Sequence, residues 1–173
     1  MKTRKTKEQI LQGLLQGDPI FSRKAKCEDA DIGWGLFTDV CFNIGEYICE
    51  YKGEVIDHEE ANRRGHTAYQ FSFEHHGQML CIDAYHQSTA GIARYANDEW
   101  QKPNSRVVKE VVNGEPHLFL KCIRPITVGM EIRYNYNNKD AFWRTSKKVT
   151  VMPFFQVTVM SFLHLLVKGN KHL

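Results

Sequence analysis

Two segments of this chain read as strand, turn and returning strand, and they constrain the fold more than anything else in it. In "AYQFSFEHHGQMLCIDA", Tyr69, Phe71 and Phe73 recur with period two, "HHGQ" turns, and "MLCIDA" returns. "RVVKEVVNGEPHLFLKCIRPI" repeats the arrangement around "NGEP". Side chains alternate across a strand, so period two broken by a Gly- or Asn-containing turn signals an antiparallel hairpin. The shorter runs "GLFTDV" and "EYICEYKGEVI" sit among turn signals at "IGWG", "NIG" and "YKGE", and "TVGMEIRYNY" adds a last strand. Helical spacing is confined to Ile10, Leu11, Leu14 and Leu15, stopped by Gly17 and Pro19, to "HEEANRR", and to the centre of "HQSTAGIARYAND", which "WQKPNS" breaks. With 173 residues and no internal repeat, the expectation is one β-dominated α+β domain with a real core.

Charge is uneven. Residues 1–26 hold Lys2, Arg4, Lys5, Lys7, Arg23, Lys24 and Lys26 against Glu8 and Asp18, so a basic arm with a short helix precedes a mildly acidic body. Such an arm suits nucleic acid, and such a body suits a cationic peptide, although a solvated basic terminus explains the arm equally well. Cys27, Cys41, Cys49, Cys81 and Cys122 form no C-x-x-C pair, and "MKTRKTKEQ" lacks the apolar region of a secretory signal. Reduced, mostly buried thiols are expected, with no metal site, because the His75-His76 pair falls in a hairpin tip. Val149 to Val167 is almost continuously apolar and has roughly the length of a membrane span. Pro153, Gln156 and His164 interrupt it, so residues 144–173 read as a divergent tail rather than an anchor.

The stretch "EIRYNYNNKDAFW" carries the most pointed chemistry. If it ends a strand, Tyr134 and Tyr136 project to one face, lining something or filling core. "GWG" at 33–35 permits a tight turn or close backbone approach, but a lone G-x-G means little by itself.

Order adds what single motifs lack. "GWGLFTDVCFNIGEYICEYKGEVI", then "AYQFSF…CIDA", "ARYAND", and "PHLFLKCIRPITVGMEIRYNY" resemble, in sequence, the motifs of SET-domain protein-lysine methyltransferases. The resemblance spans about residues 30–143, within a domain set at 27–143. It implies the SET fold, a β-clip of short strands and small sheets with a pseudoknot-like C-terminal crossing. The nearest subgroup is the histone H4 lysine monomethylating enzymes (Set8-like), which share a basic helix before the domain, "CEY" before the glycine, "PHL", and no cysteine-rich zinc segment afterwards. Implied with it are S-adenosyl-L-methionine as donor, a histone H4 tail or nucleosome as substrate, nucleosomal DNA contact through the arm, no metal, no membrane, a monomer, and a nuclear, chromosomal location.

The same resemblance assigns residues. Tyr136 matches the catalytic tyrosine of the Y-x-Y motif, and Tyr134 the position where a tyrosine hydroxyl favours stopping after one methyl. Tyr51 and Tyr69 match the lysine channel. Gly33, Trp34, Gly35, Tyr69, Arg94, Asn97, Asp98, Tyr136 and Trp143 match cofactor-binding positions, Trp143 over the adenine. The alternative for Tyr51 and Tyr69 is core or strand packing, and for Trp143 a surface position. The chemistry independently suits an aromatic channel. A lysine amine of pKa about 10.4 costs roughly 4–5 kcal/mol to neutralise at pH 7. Desolvation lowers that pKa, and ring faces hold the cationic head and aliphatic stem. Tyrosine is too weakly acidic to be a base at neutral pH, so the phenols orient and polarise.

The chain departs from the motifs where they matter. Asp98 stands where the family has histidine, Glu99 where it has serine, Asn135 where it has aspartate and Asn137 where it has glycine. Asparagine is the next best residue for the positive φ a glycine would adopt there. These changes leave a second reading open, a catalytically weak or silent SET-fold protein that binds histone or other lysine-containing peptides. Tail anchoring to a membrane is a third.

Overall fold

The computed structural model describes residues 5–17, 21–65 and 67–138. Val149–Val167, Trp143 and the first four residues lie outside them. Contacts divide the chain into a main unit, residues 1–25 and 34–137, and a second unit holding residues 26–33 and the chain from 138.

In the main unit, helix α1 (Lys7–Gln16) begins at Thr6, whose side chain accepts from Gln9 N–H while the Gln9 side chain accepts from Thr6 N–H. It ends at Gly17, in the left-handed region. This reciprocal cap satisfies two of the donors every helix start leaves open. Leu11 is buried with Val112 and Phe119, and Leu14 and Leu15 pack beside it, so the apolar stripe seen in sequence docks the helix on the sheet.

Strands β1 (Ser22–Lys26), β2 (Trp34–Thr38), β3 (Tyr47–Glu50) and β4 (Glu54–Asp57) follow. Helix α2 (His58–Arg64) is capped by the Asp57 carboxylate at Glu60 N–H and stopped by Gly65. Then come β5 (Gln70–His75) and β6 (Gln78–Asp83), joined at His76-Gly77, and β7 (Asn97–Asp98). Strands β8 (Ser105–Val112) and β9 (Glu115–Cys122) join at Asn113-Gly114, and β10 (Glu131–Tyr134) is last. Both expected hairpins therefore form, each turning through positive-φ residues.

Seven strands form one sheet in the order β1-β2-β10-β8-β9-β3 with β7 beside β10, and β4-β6-β5 form another. The last strand thus lies in the middle, antiparallel to β2 and parallel to β7 and β8. It brings the C-terminal end of the motif series between segments from early and late in the chain, the pseudoknot-like crossing that the resemblance implies. Ile132, fully buried, anchors β10 in a core with Leu36, Ile48, Leu118, Leu120 and Ile126.

One detail differs from the linear pattern. The helical centre of "HQSTAGIARYAND" is one 3-10 turn, Ile92–Tyr95. Gly91 before it gives its N–H to Lys52 O, and a side chain there would meet Lys52 Cβ at 3.0 Å, while Ala96 after it is extended and leads into Asn97–Asp98, which pair with β10. The β3–β4 bend itself needs Gly53: a Cβ would lie 2.5 Å from Asp83 O. Cys49, Cys81 and Cys122 are buried, Cys27 is half-buried and Cys41 exposed, all as free thiols. Burial pushes the Cys49 thiol up to about 12, so it stays a protonated core residue.

In the second unit, Cys27 N–H bonds Gly33 O at 2.9 Å and Ile32 N–H bonds Asp29 O at 3.2 Å, closing the loop on itself. Gly33 ends it at φ +79°, a conformation side chains resist.

Candidate active site

The topology gathers aromatic rings from three distant parts of the chain. Tyr51 follows β3, Phe71 sits on β5, Tyr134 ends β10, and Tyr136 lies two residues beyond it. Ring centroids are 5.9 Å apart for Tyr51–Phe71, 6.3 Å for Phe71–Tyr134 and 4.7 Å for Tyr134–Tyr136. Tyr134 and Tyr136 therefore do share a face, although regular pairing ends at Tyr134. Tyr51 and Tyr134 are only 3% and 5% exposed, in a protein whose other phenols lie nearer solvent.

Backbone oxygens complete this cluster. Tyr51 OH donates to Tyr69 O at 3.3 Å, and Tyr136 OH donates to Ala96 O at 2.7 Å. Burial pushes the phenols of Tyr51, Tyr134 and Tyr136 well up from their ordinary value, with the Asp98 carboxylate adding to the rise at Tyr134 and Tyr136. All three stay neutral across the physiological range, as hydrogen-bonding groups rather than bases. A cavity of about 220 Å³ opens against Phe71 and Tyr134, lined further by Val107, Ile123, Asn135 and Asn137. Phe71 went unassigned in the sequence, although it alternates with Tyr69 in the same run.

At Tyr69 the cluster meets a cation. The Arg94 guanidinium lies 4.2 Å over the Tyr69 ring, and its Nε and Nη1 are buried without a hydrogen-bond partner among the described residues. Buried donors of this kind are rare and costly, and an anionic group fits them. Asn97 gives its amide to Trp34 O at 3.0 Å and Glu131 Oε1 at 2.7 Å, tying the start of β2 to β10. Trp34 keeps its ring exposed, and Lys24 Nζ sits 4.2 Å over it and 4.4 Å over Tyr95. Gly35 is buried within β2. Asp98 Oδ1 accepts the Tyr136 N–H at 2.9 Å, while Asn137 adopts φ +55°, in the left-handed region.

Of the cofactor positions implied by resemblance, the main unit brings Tyr69, Arg94 and Tyr136 to the aromatic cluster, with Trp34, Gly35, Asn97 and Asp98 along β2 and β7. Gly33 belongs to the second unit, and Trp143 lies outside the described residues.

The family profile described as the SET domain matches residues 33–137. The chain belongs to the SET domain family.

Among relatives, this SET domain is 30% identical to the histone-lysine N-methyltransferase set-1 of Caenorhabditis elegans over 122 residues, covering 66% of this chain and 50% of that protein. It is 37% identical to the histone-lysine N-methyltransferase Set2 of Drosophila melanogaster over 109 residues, 60% of this chain and 5% of that protein. With the N-lysine methyltransferase KMT5A of Xenopus tropicalis it shares 30% over 115 residues, 62% of this chain and 34% of that protein. The chain thus spans half or less of the length of these relatives. Its fold also matches the crystal structure of CpSET8 from Cryptosporidium, with TM-score 0.64 at 19% identity over 75% of this chain and 63% of that one. Among the described residues no helix is long and apolar enough to cross a membrane, and no group of three His, Cys, Asp or Glu could hold a metal ion.

Proposed function

We propose that this chain is a protein-lysine N-methyltransferase that uses S-adenosylmethionine and places a single methyl on a lysine of the histone H4 tail. The observation that carries it is the buried Tyr51–Phe71–Tyr134–Tyr136 cluster, at the crossing of a SET domain, with the orphaned Arg94 donors beside Tyr69. A cationic lysine fits the ring faces, and its desolvation there favours the neutral amine that attack requires. Tyr136, Tyr134 and the carbonyls of Tyr69 and Ala96 would orient that amine, since neutral buried phenols position rather than deprotonate.

The donor supplies an electrophilic methyl on a sulfonium. Arg94 suits its carboxylate, and Trp34, Gly35, Asn97, Asp98 and Tyr136 would surround the remainder. Gly33 and Trp143 are assigned to the same group from sequence. The Tyr134 hydroxyl, packed against Tyr51 and Tyr136, is the reason for one methyl rather than several. Relatives named as histone-lysine and N-lysine methyltransferases support a histone substrate, and a nuclear, chromosomal place of action follows from it. The H4 choice rests on the Set8-like motif pattern. The basic arm would touch nucleosomal DNA, although Lys7 and Arg23 already pair with Glu110 and Asp39.

Transfer of tritiated methyl to nucleosomes and H4 peptide tests the reading, with Tyr136→Phe as control. Absence of transfer above that control would sink it. Asp98, Asn135 and Asn137, which depart from the family motifs, favour a silent peptide-binding SET protein as the competing reading. Peptide binding without a calorimetric response to S-adenosylmethionine would select that one.

A further inference from the structure

Tyr136 lies where strand pairing has run out. The β10–β7 ladder ends in register with Tyr134 opposite Asp98, and Glu99 N–H caps Tyr134 O at 3.0 Å. Beyond it the backbone turns, with Asn137 left-handed at φ +55° and its N–H bonded to Asn135 Oδ1 at 2.8 Å. The Tyr136 N–H, between strand and turn, is taken up by a side chain, Asp98 Oδ1 at 2.9 Å. The other end of the same residue is held too, through OH to Ala96 O at 2.7 Å. Ala96 and Asp98 belong to one three-residue run whose first member is buried at 1% exposure.

We propose that Asp98 is a positioning residue for Tyr136: its carboxylate supplies the strand partner that β7 is too short to provide, so that residues 96–98 grip the tyrosine at both its backbone and its phenol. The proposal rests on the methyltransferase reading for its consequence in turnover, but not for its geometry. A carboxylate accepting from a backbone N–H makes a stronger bond than a neutral acceptor would. With only the phenol end held, the ring would follow shifts of the turn at Asn137, and Tyr134, 4.7 Å away, would shift with it. Displacements near 1 Å in a positioned group cost on the order of 100-fold in rate. Aspartate at this position is thus a different solution to holding the tyrosine, not merely a lost histidine.

Three full-length proteins test this: wild type, Asp98→Ala and Asp98→Asn. In Asp98→Ala, kcat for methyl transfer should fall about 10- to 100-fold, with peptide KM within about threefold of wild type. Asp98→Asn keeps an oxygen acceptor without the charge, and should recover most of the lost kcat. Wild-type kcat in Asp98→Ala, or equal losses in both variants, would overturn the proposal. Amide hydrogen exchange at Tyr136 gives a readout independent of turnover: protection should disappear in Asp98→Ala and persist in Asp98→Asn. Equal protection in all three proteins would also overturn it. If wild type transfers no methyl, the methyltransferase reading falls, and exchange still decides whether Asp98 holds Tyr136. Should Asp98→Ala fail to fold, Asp98→Glu, which keeps the charge but moves the oxygen, takes its place and should lower both kcat and protection.

Discussion

Removing one oxygen atom at Tyr136 separates the chemistry of the cluster from its stability. Tyr136→Phe keeps the ring against Tyr134 and deletes the hydrogen bond to Ala96 O, 2.7 Å long. A neutral hydrogen bond contributes about 1 kcal/mol net, and an acceptor left dry costs about 1–3 kcal/mol, so a stability loss of about 1–2 kcal/mol is expected. For a chain of this size that lowers Tm by roughly 3–8 °C and leaves nearly every molecule folded at 25 °C. The effect on turnover should be much larger, about 100- to 1000-fold in kcat, the usual scale for one preorganised hydrogen-bonding group at a reacting centre. The assay pairs mass-spectrometric methyl transfer with thermal melting and donor affinity on the same samples. Because burial holds the phenol far above its ordinary pKa, the wild-type rate should rise with pH as the substrate amine deprotonates, with no break from Tyr136. A Tyr136→Phe protein turning over within twofold of wild type would refute the assignment, since a group that positions the amine cannot be removed so cheaply.

Other perturbations probe different levels of the argument. Tyr134→Phe removes a hydroxyl from a site only 5% exposed and should shift the product from monomethyl toward dimethyl lysine, read as added 14-Da steps in about the same total transfer; an unchanged monomethyl product would count against Tyr134 as the limit. Gly53→Ala drives a Cβ to 2.5 Å from the Asp83 carbonyl, so urea unfolding should show a loss of about 1–3 kcal/mol, and an unchanged midpoint would contradict the packing. Burial raises the Glu110 carboxyl, but its bonds to Lys7 and Tyr47 outweigh that and leave it below its ordinary value. A carboxyl depressed on folding stabilises above its unfolded pKa of about 4.3 and stops doing so as pH falls through the lower folded value. Wild type should therefore lose its advantage over Glu110→Gln between about pH 5 and pH 3, by under about 1 kcal/mol because Lys7 is largely exposed. A gap unchanged over that range would show that the pair does not fasten α1.

Much of this was legible in the linear chain because it depends on neighbours in sequence. The "NGEP" and "HHGQ" turns, the helical spacing of Ile10 to Leu15 with its stop at Gly17, and the alternation of Phe71 and Phe73 are local, and each became the element its pattern predicts. Tyr134 and Tyr136, two residues apart, were bound to share a face if the backbone stayed near extended, and they do. Asn137 could be anticipated in the left-handed region because asparagine tolerates positive φ better than other side chains do. Less was visible around Ile92–Tyr95, where the helical spacing shrank to a single 3-10 turn between Gly91, bonded to Lys52 O, and Asn97–Asp98, which pair with β10.

By itself the sequence determined the strand-rich class, the hairpins, the first helix and the order of motifs that marks a SET domain, all properties carried by short-range pattern. Only the tertiary structure decided what those motifs do for one another. Insertion of β10 between β2 and β8 brings Tyr134 and Tyr136 to Tyr51 and Phe71, residues more than sixty positions away, and burial then raises their phenols beyond use as bases. It also turned two apparent defects into parts of the architecture: Asp98 closes the ladder at Tyr136, and Asn135 ties the turn at Asn137. Hydrogen-bond partners and desolvation are set by what folds against a residue, and no spacing along the chain encodes them.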